Sequence, residues 1–187
     1  HCRLVWNKNH ERFWKMKQNF EKCLEMLLHH EGGYVWHDKD PGGETNLGVT
    51  RAVFEQWKGS QVVDGEMKGL TAEDVAPIYK KNYWDRVRGD DLESGLDWCA
   101  FDWAVNSGSS RVSKVIQRFV SAKPDGAIGP KTLQAISNHD AGDIIEYVYQ
   151  QRQNFYEKLK TFEHFGKGWT RRNQETFKTA LEMYHHN

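Results

Sequence analysis

Hydrophobic residues recur along most of this chain at the three- and four-residue spacing that marks one face of a helix. The clearest case lies between residues 20 and 28, where Phe20, Cys23, Leu24, Leu27 and Leu28 are apolar. The same spacing predicts further helices over residues 51–58, 71–86, 96–106, 110–120, 143–162 and 171–184, and another that opens at Gly129-Pro130. Alternating polar and apolar residues never run long enough for a substantial sheet, and at most a short hairpin fits between Tyr34 and Val49. The predicted fold class is therefore mainly α.

Polar caps and small residues set the predicted helix boundaries. Thr50 can cap the helix over 51–58 and Gly59 can end it. The residues of that helix expected to face inward are Val53, Phe54 and Trp57. Thr71 begins a capping-box pattern, and Pro77 should kink the following helix or delay its onset. Ser94 resembles a further cap, and the glycine-containing stretch 165–169 should separate the last two helices.

Glu31 is the first candidate for chemistry. It follows Leu27 by four residues, so it continues the apolar face of the first helix, and Gly32-Gly33 should end that helix directly after it. Burial disfavours an ionised carboxyl group, which suits a general acid near neutral pH. Asp40, nine residues on, lies in a loop rich in proline and glycine, where a carboxylate should stay ionised. Two carboxyl groups in such different settings are typical of glycosidic bond cleavage, and the alternative for Glu31 is a solvated helix end.

The stretch that contains these carboxyl groups resembles the opening motif of glycoside hydrolase family 108, the phage and prophage muramidases. The match reads Glu31-Gly32-Gly33-Tyr34, Asp40-Pro41-Gly42-Gly43, Thr45-Asn46 and Gly48-Val49-Thr50. The resemblance implies a lysozyme-like helical fold in which Glu31 is the catalytic acid and Asp40 and Thr45 assist it. Thr45 comes one residue before the slot of the third catalytic residue in phage lysozymes, and Asn46 occupies that slot.

Further residues are candidates for substrate binding. Asn106-Ser107-Gly108 ends an apolar helix and resembles the family's AVNSG motif, which lysozyme-like enzymes often place on the substrate cleft. A plain helix cap, which Gly108 alone would satisfy, is the alternative for Asn106 and Ser107. Tyr34 and Trp36 could line the cleft beside Asn46, although core packing would account for either aromatic side chain.

The resemblance extends over nearly the whole chain after Met16. The stretch 125–132, with Gly129-Pro130 at its centre, resembles the turn of peptidoglycan-binding repeats. We therefore expect a lysozyme-like catalytic region over 16–106 and a helical peptidoglycan-binding region over 107–187, packed as one unit. Residues 1–15 show no periodicity and are interpreted as a non-native or disordered extension.

Charge and composition restrict the partners. Lys and Arg together equal Asp and Glu at 26 each, and a net charge of zero argues against nucleic acid as a partner. No apolar run approaches the ~18 residues of a membrane span, and residues 1–17 lack the apolar centre of a signal peptide. Cys2, Cys23 and Cys99 are odd in number and widely spaced, which indicates neither a disulfide framework nor a metal site. Cys23 and Cys99 lie on apolar helical patterns and are interpreted as buried thiols, and we expect no cofactor.

The lack of a signal peptide and the cysteine pattern predict synthesis in the cytoplasm, and the family resemblance implies an enzyme that acts on bacterial peptidoglycan, which we expect to be a monomer. Related phage enzymes typically reach the wall with the help of a holin, so the resemblance implies holin-dependent export. The predicted reaction is hydrolysis of the β-1,4 bond between N-acetylmuramic acid and N-acetylglucosamine. The alternatives are a lytic transglycosylase and a non-catalytic wall-binding or secretion-assisting protein.

Overall fold

The computed structural model describes residues 8–38 and 43–186, with side chains from Asn19 onward. This part of the chain contains eight α-helices, which are α1 Lys8–His30, α2 Arg51–Lys58, α3 Ala72–Tyr79, α4 Leu96–Ser107, α5 Ser109–Phe119, α6 Pro130–Ser137, α7 Ala141–Glu157 and α8 Phe162–His185. Its strands are β1 Val35–Trp36, β2 Glu44–Asn46 and β3 Val49–Thr50. A π-helical turn, Lys80–Trp84, and a 3-10 turn, Gly89–Asp91, complete the regular structure. The prediction of a mainly α, lysozyme-like fold is confirmed.

The chain forms two compact units. One comprises Phe20–Asn82, and the other comprises the residues up to Asn19 together with those from Tyr83 onward. The predicted catalytic region 16–106 and peptidoglycan-binding region 107–187 have other bounds than these two units, and the division of function between them stays a prediction. Helix α1 begins at Lys8 and not at Phe20, so residues 8–15 are helical, while residues 1–7 lie outside the described part.

The Phe20–Asn82 unit contains a three-stranded antiparallel sheet in the order β1-β2-β3. Thr50 caps α2 as predicted, because its hydroxyl accepts a hydrogen bond from Val53 N at 3.3 Å, and Gly59 ends the helix at a φ of 77°. The inward orientation predicted for Val53 and Trp57 is wrong. Helix α2 has only two turns and buries Phe54 alone, while Trp57 is exposed and lies 5.6 Å from the Lys81 ammonium.

Helix α3 has the predicted capping box, in which Thr71 and Asp74 exchange hydrogen bonds. Pro77 is the sixth residue of α3, so it does not delay the start of this helix, and the helix continues for two more residues after it. The regular helix nevertheless stops at Tyr79 and passes into the π-helical turn, short of the predicted end at residue 86. Proline removes one backbone donor from the helix, which shortens the stretch that regular hydrogen bonding can hold.

Helix α4 is the core of the second unit, with every residue from Leu96 to Ala104 buried. Ser94 does not cap it, contrary to the prediction. The carboxylate of Asp97 takes that part instead, because its Oδ1 accepts hydrogen bonds from the backbone N–H groups of Gly95 and Trp98 at 2.9 and 2.7 Å. A carboxylate in the first turn is also favoured by the helix dipole.

A buried ionic cluster joins α4 to α7 and α8. Asp102 is fully buried, and its two oxygens accept hydrogen bonds from Arg152 Nη1 at 2.7 Å, Arg172 Nη2 at 2.9 Å and Thr176 Oγ1 at 3.0 Å. Burial acts to raise the pKa of Asp102, but the two guanidinium groups outweigh it and hold that pKa at about 2. This carboxylate is therefore a structural ion that ties three helices together.

Helix α8 corrects the prediction of a break at residues 165–169, because it runs without interruption through Gly166 and Gly168. Gly166 is buried, and a Cβ at this position would lie 2.7 Å from the ring of Phe162. The glycine is needed for close packing rather than for ending the helix. Helix α8 therefore continues through Gly166 despite the low helix propensity of glycine, because the ring of Phe162, one turn earlier in the same helix, occupies the space of a side chain.

Cys23 and Cys99 are free, buried thiols, as predicted, and Cys2 lies outside the described residues. Burial, followed by the charge of Asp97, raises the pKa of the Cys99 thiol. None of the helices that the structure describes is long and apolar enough to cross a membrane.

Candidate active site

Glu31 is the residue directly after α1. Its backbone N–H donates to the carbonyl of Leu27 at 3.1 Å, so the helical hydrogen-bond pattern continues to it. Leu24 and Leu27 on the preceding turns are buried, and Glu31 itself is half-buried. The predicted placement of a carboxyl group at the end of an apolar helix face is what the structure contains.

A tight hairpin turn lies against Glu31. Asn46 of β2 pairs with Val49 of β3, and the two residues between them, Leu47 and Gly48, have φ values of 49° and 73°. Two successive positive φ angles are the geometry of a type I′ hairpin, and for Leu47 this conformation costs roughly 1–2 kcal/mol. The hydroxyl of Tyr79 supports the strained residue by donating to the carbonyl of Leu47 at 2.7 Å.

Gly48 brings the backbone of this turn next to the carboxyl group. A Cβ at position 48 would lie 2.9 Å from Glu31 Oε2 and 3.3 Å from Glu31 Cβ, and it would also collide with the hydroxyl of Tyr79. Only a residue without a side chain fits this space. The hairpin turn, Tyr79 and Glu31 therefore form one packed group in the Phe20–Asn82 unit.

We expect Gly48→Ala to reduce activity on peptidoglycan at least tenfold, because the added methyl group must displace the Glu31 carboxyl or the Tyr79 hydroxyl. It should also lose about 1 kcal/mol of stability from the left-handed backbone. Gly59→Ala is the matched control, since Gly59 has nearly the same φ of 77° but nothing within 4 Å of a Cβ. Turbidity clearing of purified cell walls and urea unfolding separate the two effects. Full activity of folded Gly48→Ala would contradict the prediction.

Tyr34 is fixed by a polar network beside the sheet. Its hydroxyl donates to Glu44 Oε1 at 2.9 Å, and Glu44 Oε2 lies 3.4 Å from Arg51 Nη1, which connects β2 to α2. Partial burial and the hydrogen bond to Glu44 raise the pKa of Tyr34, so its hydroxyl stays protonated. These contacts give Tyr34 a positioning role, and its contact with substrate remains a prediction.

Trp36 is an exposed aromatic side chain on the edge strand β1. It is 64% exposed, and the neighbouring Val35 is 43% exposed. Core packing, the alternative considered for Trp36, is thus excluded. A large exposed ring on a short strand offers the flat apolar surface that stacks on sugar rings.

Thr45 and Asn46 have different surroundings. Thr45 is half-buried in the middle of β2, where it pairs with Val35 on one side and Thr50 on the other. Asn46 is buried, and its amide nitrogen donates to the carbonyls of Met67 and Lys68 at 2.9 and 3.3 Å. Asn46 therefore anchors β2 to the loop before α3, and substrate contact by either residue stays a prediction.

The remaining predicted site residues lie elsewhere. Asp40 belongs to the stretch 39–42, which lies outside the described residues. Asn106 and Ser107 end α4 in the second unit, where Asn106 Oδ1 accepts hydrogen bonds from the hydroxyls of Tyr156 and Ser107. The exposed Gly108 caps the helix through its own backbone N–H, which donates to the carbonyl of Ala104 at 2.8 Å, and substrate contact by Asn106 or Ser107 stays a prediction.

Two family models match successive parts of the chain, and the first of them extends across the boundary between the compact units at Asn82 and Tyr83. Residues 24–108 match the family model for glycosyl hydrolase 108, and residues 111–174 match a model described as a predicted peptidoglycan domain. The chain belongs to glycosyl hydrolase family 108. The solved structure of Brucella abortus SagA is similar, with a TM-score of 0.76 and 42% sequence identity over 90% of this chain and 97% of that chain. No curated protein matches the chain significantly.

Membership of family 108 makes this protein a glycoside hydrolase, and the second match gives peptidoglycan as its partner. The family segment contains Glu31, the hairpin turn and Tyr79. The sequence reasoning missed Gly48 and Tyr79 as part of the site. The Asn46-Leu47-Gly48 string between two β-prone stretches is a hairpin signal that could have indicated Gly48, whereas Tyr79 was indistinguishable from a core residue of its helix.

Proposed function

We propose that this family 108 protein is an N-acetylmuramidase that hydrolyses the β-1,4 bond between N-acetylmuramic acid and N-acetylglucosamine. The observation that carries the proposal is the half-buried carboxyl group of Glu31, held at the end of α1 against the backbone of the Leu47-Gly48 turn. A carboxyl group fixed in this way can deliver a proton to one position on a bound sugar chain.

In the proposed reaction, Glu31 protonates the glycosidic oxygen as the bond to the anomeric carbon breaks. Positive charge then develops on the sugar ring, and water completes the hydrolysis. Asp40 either activates this water or stabilises the charge, and Thr45 or Asn46 holds the water or a substrate hydroxyl. A carboxyl separation of roughly 5 Å would favour retention of configuration, and about 6.5–9.5 Å would favour inversion.

The exposed ring of Trp36 supports a glycan chain as the ligand of this unit. It lies on β1, whose neighbour β2 is followed directly by the turn against Glu31. Tyr34 keeps the start of β1 attached to β2 through Glu44. A sugar stacked on Trp36 would thus be bound by the same small sheet that positions the carboxyl group.

Mass spectrometry of the fragments released from purified sacculi tests this proposal. A muramidase leaves N-acetylmuramic acid with a free reducing end, which borohydride converts to the alcohol. Release of 1,6-anhydro sugars would instead show a lytic transglycosylase that uses Glu31 without water. Retention on sacculi with no soluble fragments would show a wall-binding protein and would overturn the enzymatic proposal.

A further inference from the structure

A cleft of about 510 Å³ opens on the surface of the second unit, between the end of α4, helix α5 and the end of α7. We call it the basic cleft, and the residues that define it are Trp103, Arg111, Lys114, Arg118, Phe155 and Lys158. All of them belong to the Tyr83–Asn187 unit, and all but Trp103 fall within the segment that matches a peptidoglycan domain.

Positive charge is concentrated in this cleft, although the whole chain is neutral. Arg111, Lys114 and Arg118 follow one another at intervals of three and four residues, so they share one face of α5. Lys158 adds a fourth cation directly after α7. Among the described residues that line the cleft there is no Asp or Glu, and none of the four cations forms an ion pair within the described part of the chain.

The floor of the cleft is aromatic and orients one of the cations. The guanidinium of Arg111 lies 4.0 Å from the centre of the Phe155 ring, and Phe155 in turn contacts Trp103. Stacking on the ring restrains the planar guanidinium, whose paired N–H groups suit the two oxygens of a carboxylate. Trp103 is buried, and its indole N–H has no hydrogen-bond acceptor among the described residues.

We propose that the basic cleft binds the stem peptide of peptidoglycan through the free carboxylates of that peptide. The N-acetylated glycan strand carries no charge of its own, so a cluster of four cations has little to recognise there. The stem peptides carry the carboxylates, and arginine and lysine bind carboxylates through charge-assisted hydrogen bonds. This inference rests on the proposed function, because the Glu31 site and the basic cleft would bind two parts of the same polymer. The Glu31 site would bind the glycan strand, and the basic cleft would bind the stem peptide.

Binding measurements with the full chain test this inference. The probes are a synthetic stem peptide with free carboxylates, the same peptide with its carboxylates amidated, and purified sacculi. The Glu31→Gln chain serves as the parent so that sacculi remain intact. Lys114→Glu with Arg118→Glu reverses two charges in the cleft, and Lys131→Glu with Lys178→Glu makes the same net change at exposed positions outside it.

We expect the cleft pair to bind the free peptide and the sacculi about tenfold more weakly or worse, while the control pair stays within about twofold of the parent. Amidation of the peptide should cause a similar loss in the parent, and raising the salt concentration should weaken the binding. Lys158→Glu is a milder variant should the cleft pair fail to fold, and it should weaken binding in the same direction.

Equal binding by the cleft and control pairs would overturn the inference, and so would equal binding of the free and amidated peptides. Displacement of the peptide by a neutral chito-oligosaccharide would also overturn it, because the cleft would then be a glycan site. The stem peptide contains no glycosidic bond, so its binding can be measured even if Glu31→Gln still cleaves sacculi. Cleavage of sacculi by Glu31→Gln would contradict the muramidase proposal and would leave the inference about the basic cleft unaffected.

Discussion

Glu31→Gln should lower the release of soluble fragments from purified sacculi by about 10²–10⁴-fold. The amide has nearly the same shape as the carboxyl group, so the packing against Gly48 and Tyr79 should persist. Its N–H groups are too weakly acidic to transfer a proton to the glycosidic oxygen, so the variant loses general acid catalysis and keeps only the contribution of substrate binding. Zymography on gels that contain sacculi, with wild type and variant side by side, measures the loss.

Glu25→Gln is the control for this experiment. It makes the same chemical change on α1, at an exposed position two turns before Glu31. We expect it to clear sacculi at the wild-type rate, and both variants should retain the far-ultraviolet circular dichroism of a helical protein. Clearing by Glu31→Gln at the rate of Glu25→Gln would remove Glu31 from the mechanism.

Asp102→Ala should reduce the free energy of unfolding by about 3–5 kcal/mol. The substitution leaves Arg152 buried opposite an empty site and deprives Arg172 and Thr176 of a shared acceptor. Asp91→Ala is the matched control, because Asp91 also pairs with an arginine, Arg88, but both side chains are 41% exposed. An exposed pair of this kind contributes at most about 1 kcal/mol. Urea unfolding at neutral pH compares them, and similar losses would contradict the structural role of Asp102.

The same carboxylate predicts how stability depends on pH. Its pKa is about 2 in the folded chain, below the ordinary value of 3.8. A lowered pKa means that the folded form holds this proton less tightly than the unfolded form does. The contribution of the ionised Asp102 to the free energy of unfolding is therefore complete above about pH 4, and it disappears as the pH falls towards 2. Asp102→Asn should have a smaller stability change than wild type over this window, and an unchanged acid transition would contradict the assignment.

The sequence predicted the helical class and the position of Glu31 because both depend on short-range patterns. The apolar spacing from Phe20 to Leu28 marks a helix face whatever lies beyond it, and the glycines after Glu31 mark its end. Thr50 and Thr71 capped their helices for the same reason, since a cap needs only the next turn of backbone. These features are local, so the chain specifies them without reference to the fold.

The errors concern how side chains pack against one another, which the spacing of apolar residues and the helix propensities do not show. Gly166 was interpreted as a helix breaker because its packing against the Phe162 ring, within a helix, cannot be read from propensity. Trp57 was predicted to face the core because its spacing from Phe54 fits one helix face. The spacing does not show that neighbouring residues bury only Phe54 on α2. The packing of Gly48 against Glu31 depends on the hairpin turn, and Tyr79 reaches it from a helix 32 residues further along the chain than Leu47.

Each compact unit holds its own shielded thiol, Cys23 in one and Cys99 in the other. A thiol reagent modifies such a group only when the surrounding structure opens, so labelling rates at the two cysteines report the opening of each unit separately. Modification of Cys23 at lower denaturant concentration than Cys99 would show that the Phe20–Asn82 unit opens before the unit that contains Cys99. These two cysteines of the described residues therefore show whether the two units open together or one after the other.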